Sequence, residues 1–143
     1  MRICFDLGGV FYPGASDEDN ALALQAMLEA LIAIDRVYLR RYPRTPKLYN
    51  SGVRYGRTTV WDSVPDLLAR RYGDCKSLTA MLVAEYREAK ITAQPVFRFA
   101  KNPQTGQKDF HILVRRGRVF EDPSRKLGMI QYHQSRGLWL FPQ

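Results

Sequence analysis

A thiol, an imidazole and a carboxylate occur in the order Cys75, His111, Asp122, each in a setting that suits it to one kind of chemistry. Cys75 stands in Tyr72-Gly73-Asp74-Cys75-Lys76-Ser77-Leu78, where a turn feeds helical spacing. His111 lies inside the strand-like run Phe110-His111-Ile112-Leu113-Val114, and Asp122 follows a second short strand in Val119-Phe120-Glu121-Asp122-Pro123. These are the parts of a nucleophilic cysteine site, in which a base and an orienting group act on a weak nucleophile. A free thiol is mostly protonated at neutral pH, and the thiolate is the reactive form. The unsatisfied N–H groups and positive dipole end of a helix N-terminus favour that anion. An imidazole takes the proton, a carboxylate on its far nitrogen fixes the tautomer, and the same N–H groups can hold an oxyanion.

Taken singly, each residue has a plainer reading. A cysteine opening a helix is usually a small buried apolar residue, a strand histidine is usually a half-buried polar group, and Asp before Pro is turn chemistry. The order on helix, strand and strand end is what favours the chemical reading. Asp74 is read as a helix cap directed at backbone amides, because a negative charge next to the thiol works against its ionisation.

The elements that must hold these groups follow from periodicity. Ile3 to Val10 reads as a short strand ended by Gly8-Gly9. From Asp19 to about Arg41, Leu24, Met27, Leu28, Leu31, Ile34 and Tyr38 recur at helical spacing, capped by the acidic Asp17-Glu18-Asp19 and ended before Pro43. Residues 42–59, rich in Pro, Gly and Asn, are expected to run as an ordered loop beside the site. A second helix is expected from Asp62 or Ser63, with Pro65 in its first turn, to Gly73. The third has Asp74 as N-cap and Cys75 in its first turn, with Leu78, Met81, Leu82, Glu85, Tyr86 and Ala89 facing inward. Strands are expected over Ile91 to Phe99, Asp109 to Arg115 and Arg118 to Glu121, separated by turns at 101–106 and at Arg116-Gly117. The tail from Asp122, with Tyr132, Trp139 and Phe141, is expected to pack back on the body.

Bulk properties set the class. A chain of 143 residues with 45% hydrophobic and 25% charged residues predicts one globular domain with its own core. No apolar run approaches the roughly 20 residues of a membrane span, and Asp6 interrupts any signal-peptide core, so the expected compartment is the cytoplasm, with no membrane partner. Two cysteines are too few for a disulfide framework, and with two histidines and no Cys-x-x-Cys spacing neither a metal site nor another cofactor is expected. Net charge is +8, with arginines clustered at 40/41, 70/71 and 115/116/118. A nucleic-acid partner is one reading of that charge. The first two clusters close predicted helices, where cations complement the macrodipole, and the third flanks a turn, so the charge has structural reasons as well. Phe5-Asp6-Leu7-Gly8-Gly9-Val10 is similar to the first motif of haloacid-dehalogenase-like phosphatases, but Gly8 stands where the second aspartate belongs.

Gly73-Asp74-Cys75 opening a helix, Phe110-His111-Ile112-Leu113-Val114 and Glu121-Asp122-Pro123 together resemble the transglutaminase-like superfamily of papain-type cysteine enzymes, over about residues 48–129. The resemblance implies an α+β fold, N-terminal helices packed on a small antiparallel sheet, in a single transglutaminase-like domain over 1–143. It implies Cys75 as nucleophile, His111 as general base and acid, and Asp122 as orienter. The implied activity is thiol-dependent acyl transfer on amide or peptide bonds, as a cysteine protease, amidase or transglutaminase, with a protein or peptide as partner. Lys76-Ser77 follow the cysteine where many relatives carry acidic residues. The oxyanion or substrate-binding group is left among Asn50, Tyr55 and Trp61. The chain also looks similar to small bacteriophage and bacterial members, so a non-catalytic binding role, or a structural or assembly role in a virion, stands as the alternative.

Overall fold

The computed structural model describes residues 14–101, 108–130 and 139–141. The expected strand at Ile3 to Val10, Cys4, the phosphatase-like Asp6 segment, Tyr132 and most of the 101–106 turn lie outside the described residues.

The first helix, α1, spans Asp17–Arg41, starting two residues earlier than its periodicity implied. Its cap is Ser16, whose hydroxyl accepts from the Asp19 amide at 3.0 Å, so Asp17, Glu18 and Asp19 occupy the first turn, where they complement the dipole. The buried stripe is Ala21, Leu24, Leu28, Leu31, Ile32, Asp35 and Leu39; Ile34, expected inward, is exposed. Placing Asp35 in that stripe is possible because one of its oxygens accepts from the Val64 amide at 2.9 Å.

The expected loop at 42–59 contains a one-turn 3-10 helix at Leu48–Asn50 and a two-residue strand, β1, at Arg54–Tyr55. The next helix, α2, is Val64–Arg70, with Ser63 before it and Pro65 in its first turn. It ends short of Gly73 because Arg71 turns into the left-handed region (φ 71°). Tyr72–Gly73 then form strand β2, parallel to β1.

Helix α3, Cys75–Glu88, is the centre of the core. Every residue from Lys76 to Glu85 is buried, so packing reaches beyond the stripe read from periodicity, while Ala89 lies outside the helix. α3 packs on α1 through Leu28, Ile32, Leu78, Met81, Leu82 and their neighbours. Fully burying one such side chain contributes roughly 1.5–3 kcal/mol. The Arg36–Glu88, Arg40–Glu88 and Arg87–Glu29 pairs between the helices contribute about 0–1 kcal/mol each. The apolar seam therefore drives the pairing and the ion pairs fix its register.

Strands β3 (Gln94–Lys101), β4 (Lys108–Arg116), β5 (Val119–Glu121) and β6 (Trp139–Phe141) form an antiparallel sheet in the order β5-β4-β3-β6. The tail does pack back, as β6 against β3. Phe97, Ile112 and Val114 belong to the core shared with α3. A short helix, α4 (Pro123–Lys126), unforeseen in the sequence, follows Asp122 directly. The architecture is α+β, a helical layer on a small antiparallel sheet. Among the described residues no helix is long and apolar enough to cross a membrane.

Candidate active site

The approach to Cys75 is fixed from its N-terminal side. Tyr55 pairs with Gly73 in the β1–β2 ladder, and the Gly56 amide donates to the Gly73 carbonyl at 2.9 Å. A Cβ on Gly73 would stand 2.5 Å from a Leu67 methyl, so glycine lets the chain pass tightly over α2 before entering α3. Asp74 then caps α3 as its sequence context implied. One carboxylate oxygen accepts from the Lys76 amide at 3.1 Å, and the other holds the Lys76 ammonium. That ammonium also donates to the Thr58 carbonyl at 3.1 Å and lies 5.9 Å from the centre of the Trp61 ring. The charge of Asp74 is thus met on both oxygens, and Cys75 emerges half-buried on the first turn.

His111 is delivered by β4. Its backbone pairs with Arg98 of β3 on one side, whereas β5 pairs only with Val114 to Arg116 on the other. Among the described residues no strand covers the second edge beside His111. The Thr79 hydroxyl of α3 reaches the Ile112 carbonyl in a long 3.4 Å contact, which ties the Cys75 end of the helix to this part of the strand.

Asp122 serves two elements at once. Its Oδ2 lies 2.9 Å from His111 Nε2, and its Oδ1 accepts from the Arg125 amide at 3.1 Å, capping α4. Pro123 at the first helical position needs no N–H acceptor. The two oxygens of Asp122 are thus divided between the cap of α4 and the imidazole.

The electrostatics of His111 follow from these neighbours. Burial favours the neutral ring. The Asp122 hydrogen bond, the Cys75 sulfur as hydrogen-bond partner and charge, and the Asp122 charge outweigh burial, and the pKa is pushed up to about 9. With Nε2 turned to Asp122, Nδ1 is the nitrogen left to exchange a proton with the thiol.

Next to Asp122, Glu121 is the most heavily bonded carboxylate among the described residues. Its oxygens accept from the Tyr49 and Tyr86 hydroxyls and the Lys126 ammonium at 2.7 Å each, and from Arg116 at 3.2 Å. Burial alone would raise its pKa; hydrogen bonds from Lys126, Tyr86 and Tyr49 and the Lys126 charge prevail, and it is held at about 2. Glu121 thereby pins the end of β5, and with it the position of Asp122, to α3, α4 and the 3-10 turn.

Of the three oxyanion or substrate-binding candidates, Tyr55 is the one brought into the field of the thiol. Burial raises the pKa of its hydroxyl, the Cys75 charge adds to this, and Arg57 opposes it. Trp61 packs half-buried against the core beside Lys76. Asn50 is exposed at the end of the 3-10 turn, and no contact joins it to Cys75, His111 or Asp122 among the described residues. Its neighbours explain the placement: the Leu48 amide is held by Glu85 at 2.7 Å and Tyr49 by Glu121, which leaves Asn50 outermost. Lys76, Thr79 and Glu121 form the surroundings of the site without a motif that marks them; for Glu121 the alternation of β5 is the signal in the sequence. Among the described residues no group of three His, Cys, Asp or Glu side chains is placed to hold a metal ion. Comparison with protein-family models, curated proteins and solved structures gives no match.

Proposed function

We propose that the chain is a cysteine enzyme of transglutaminase-like, papain-type architecture that transfers acyl groups from amide or peptide bonds, with Cys75 as nucleophile, His111 as base and acid, and Asp122 as orienter. The observation that carries this reading is the Oδ2–Nε2 contact of 2.9 Å between Asp122 and His111, on a ring whose pKa the Cys75 sulfur also helps to raise.

The steps follow from the arrangement. His111 takes the thiol proton at Nδ1, and the thiolate attacks the carbonyl carbon of the donor, forming a C–S bond and an oxyanion. The oxyanion is stabilised by N–H groups at the start of α3 and by the Tyr55 hydroxyl. The imidazolium returns its proton to the leaving amine as the C–N bond breaks, which leaves a thioester on Cys75 and a neutral ring. His111 next deprotonates the acceptor, water for hydrolysis or an amine for transamidation, and the thiolate is released. Asp122 holds the ring in one tautomer throughout and offsets its positive charge.

The test is labelling with an amide-derived, thiol-reactive substrate analogue, followed by location of the modified cysteine. Cys75 labels and Cys4 does not, and Cys75→Ala abolishes acyl-enzyme formation with unchanged circular dichroism and unfolding midpoint. Labelling of Cys4 as readily as Cys75 would refute the proposal.

A further inference from the structure

The charges around Cys75 are unevenly partnered. Every carboxylate beside the thiol and imidazole is engaged within the fold: Asp74 by Lys76 and its amide, Asp122 by His111 and the Arg125 amide, Glu121 by four donors. Two cations near the same centre have no carboxylate partner among the described residues. Arg57 is exposed two residues after Tyr55, whose hydroxyl feels both the Arg57 charge and the Cys75 charge. Arg98 is the direct cross-strand partner of His111, and opposed residues of an antiparallel pair share a face with Cβ atoms about 4.5–5.5 Å apart. Its Nε is buried and has no acceptor. The next basic residue on that face, Arg115, differs, because it faces the Gln94 side-chain amide.

A buried guanidinium nitrogen without an acceptor, as at Arg98 Nε, is a standing cost unless a ligand supplies one, and the planar fork of an exposed arginine such as Arg57 fits a carboxylate. We propose that Arg57 and Arg98 flank the thiol as an anion-recognition pair, so that the acyl donor is an acidic peptide segment with a carboxylate beside the scissile amide. This rests on the reading of Cys75, His111 and Asp122 as an acyl-transfer site. Arg57 reaches the donor from the Tyr55 side and Arg98 from the His111 side, so the two bracket the bond to be broken. Lys76 takes no part, since Asp74 and the Thr58 carbonyl already occupy its ammonium.

Iodoacetate and iodoacetamide test this on the intact chain, because each is displaced by a thiolate with loss of iodide and the two differ by one negative charge. Their rates are measured at one pH and ionic strength, resolved between Cys75 and Cys4 by peptide mass. The iodoacetate-to-iodoacetamide ratio is expected to be higher at Cys75 than at Cys4 by about tenfold, the order of one charge-assisted hydrogen bond. Arg57→Gln and Arg98→Gln each lower it about threefold or more, and Arg118→Gln on the distant hairpin leaves it unchanged. A ratio unmoved by Arg57→Gln and Arg98→Gln, or moved equally by Arg118→Gln, overturns the proposal. A glutamate-rich octapeptide is expected to slow labelling of Cys75 in the parent chain and not in the Arg57→Gln, Arg98→Gln double variant. Equal protection by a DNA oligonucleotide of the same charge overturns it in favour of a nucleic-acid ligand. The acyl-transfer reading fails separately: its sign is an iodoacetamide rate at Cys75 equal to that of a free thiol and unaltered by His111→Ala.

Discussion

Asp122→Asn removes one charge and leaves the shape of the side chain nearly unaltered, so its effect can be worked from two contacts. In the parent chain both oxygens accept, Oδ2 from His111 Nε2 at 2.9 Å and Oδ1 from the Arg125 amide at 3.1 Å. Asparagine offers one acceptor and one donor. If its oxygen faces His111, its NH2 faces the Arg125 amide and the cap of α4 is lost, at a cost of about 0.5–2 kcal/mol. If its oxygen keeps the cap, its NH2 faces Nε2, which must then accept, and the ring proton moves to Nδ1, the nitrogen proposed as base. Either way the opposite charge beside the ring is gone. An opposite charge at this distance shifts a pKa by about 1–3 units, equivalent to roughly 1.4–4 kcal/mol of preference for the imidazolium. His111, held at about 9 by burial opposed by Asp122 and Cys75, is therefore expected to titrate about 1–3 units lower in Asp122→Asn. The assay is the pH dependence of the imidazole proton resonances, simple here because His111 and His133 are the only histidines; His133→Gln assigns them. An ordinary His111 pKa in the parent chain, or one that Asp122→Asn leaves in place, would refute the reasoning.

Three further outcomes concern stability. Because the folded pKa of His111 is raised, its contribution is fully present below the unfolded value of about 6.5 and is lost as pH rises through about 9. Urea unfolding should show the parent chain losing roughly 3 kcal/mol relative to His111→Ala across that window. Asp35, whose carboxyl burial pushes up to about 7 against the pull of the Val64 amide, binds its proton more readily folded than unfolded, so it costs stability as pH climbs from about 4 through 7. Asp35→Asn should gain on the parent chain by up to roughly 4 kcal/mol over that range; a difference that does not change with pH would refute this. Glu121 is held at about 2, so its contribution is present above the ordinary carboxylate pKa and is lost as pH falls through about 2. Glu121→Gln should lower the unfolding free energy by about 2–3 kcal/mol near neutrality and converge with the parent chain in acid, and equal losses at both pH values would argue against the assignment.

Local signals were legible and non-local partners were not. Asp74 before a helical run, Pro65 in a first turn and the apolar spacing of α3 each depend on neighbours within one or two turns, and each gave its element to within a few residues. The start of α1 was misplaced because three acidic residues resemble a cap, while the hydroxyl of Ser16 does the capping. α2 is shorter than its spacing implies because the left-handed turn at Arg71 depends on pairing with β1, eighteen residues upstream through Arg54 and Tyr72. Asp35 sat inside a helical stripe and was passed over, since its acceptor role needs the start of α2 to be docked against it. Asn50 was drawn toward the site by its amide alone, whereas anchoring of Leu48 and Tyr49 turns it outward.

The adjacent carboxylates Glu121 and Asp122 show how much one pairing register decides. The register decides which of the two meets His111. The ladder pairs Glu121 with Val114, and Val114, with Ile112, faces the core beneath α3. Strand side chains alternate faces, so Glu121 shares the side of the even-numbered residues of β4, where Tyr86, Tyr49 and Arg116 meet it. Asp122, one residue on and still extended at φ −113° and ψ 95°, is turned to the odd-numbered side, where His111 stands. A one-residue slip of β5 would exchange the two roles, burying Asp122 under α3 and setting Glu121 against the imidazole. The four hydrogen bonds to Glu121 oppose that slip, because it would leave two hydroxyls and two cations without their acceptor. The placement of Asp122 against His111 is thus guarded by a neighbour whose own hydrogen bonds go to Tyr49, Tyr86, Arg116 and Lys126.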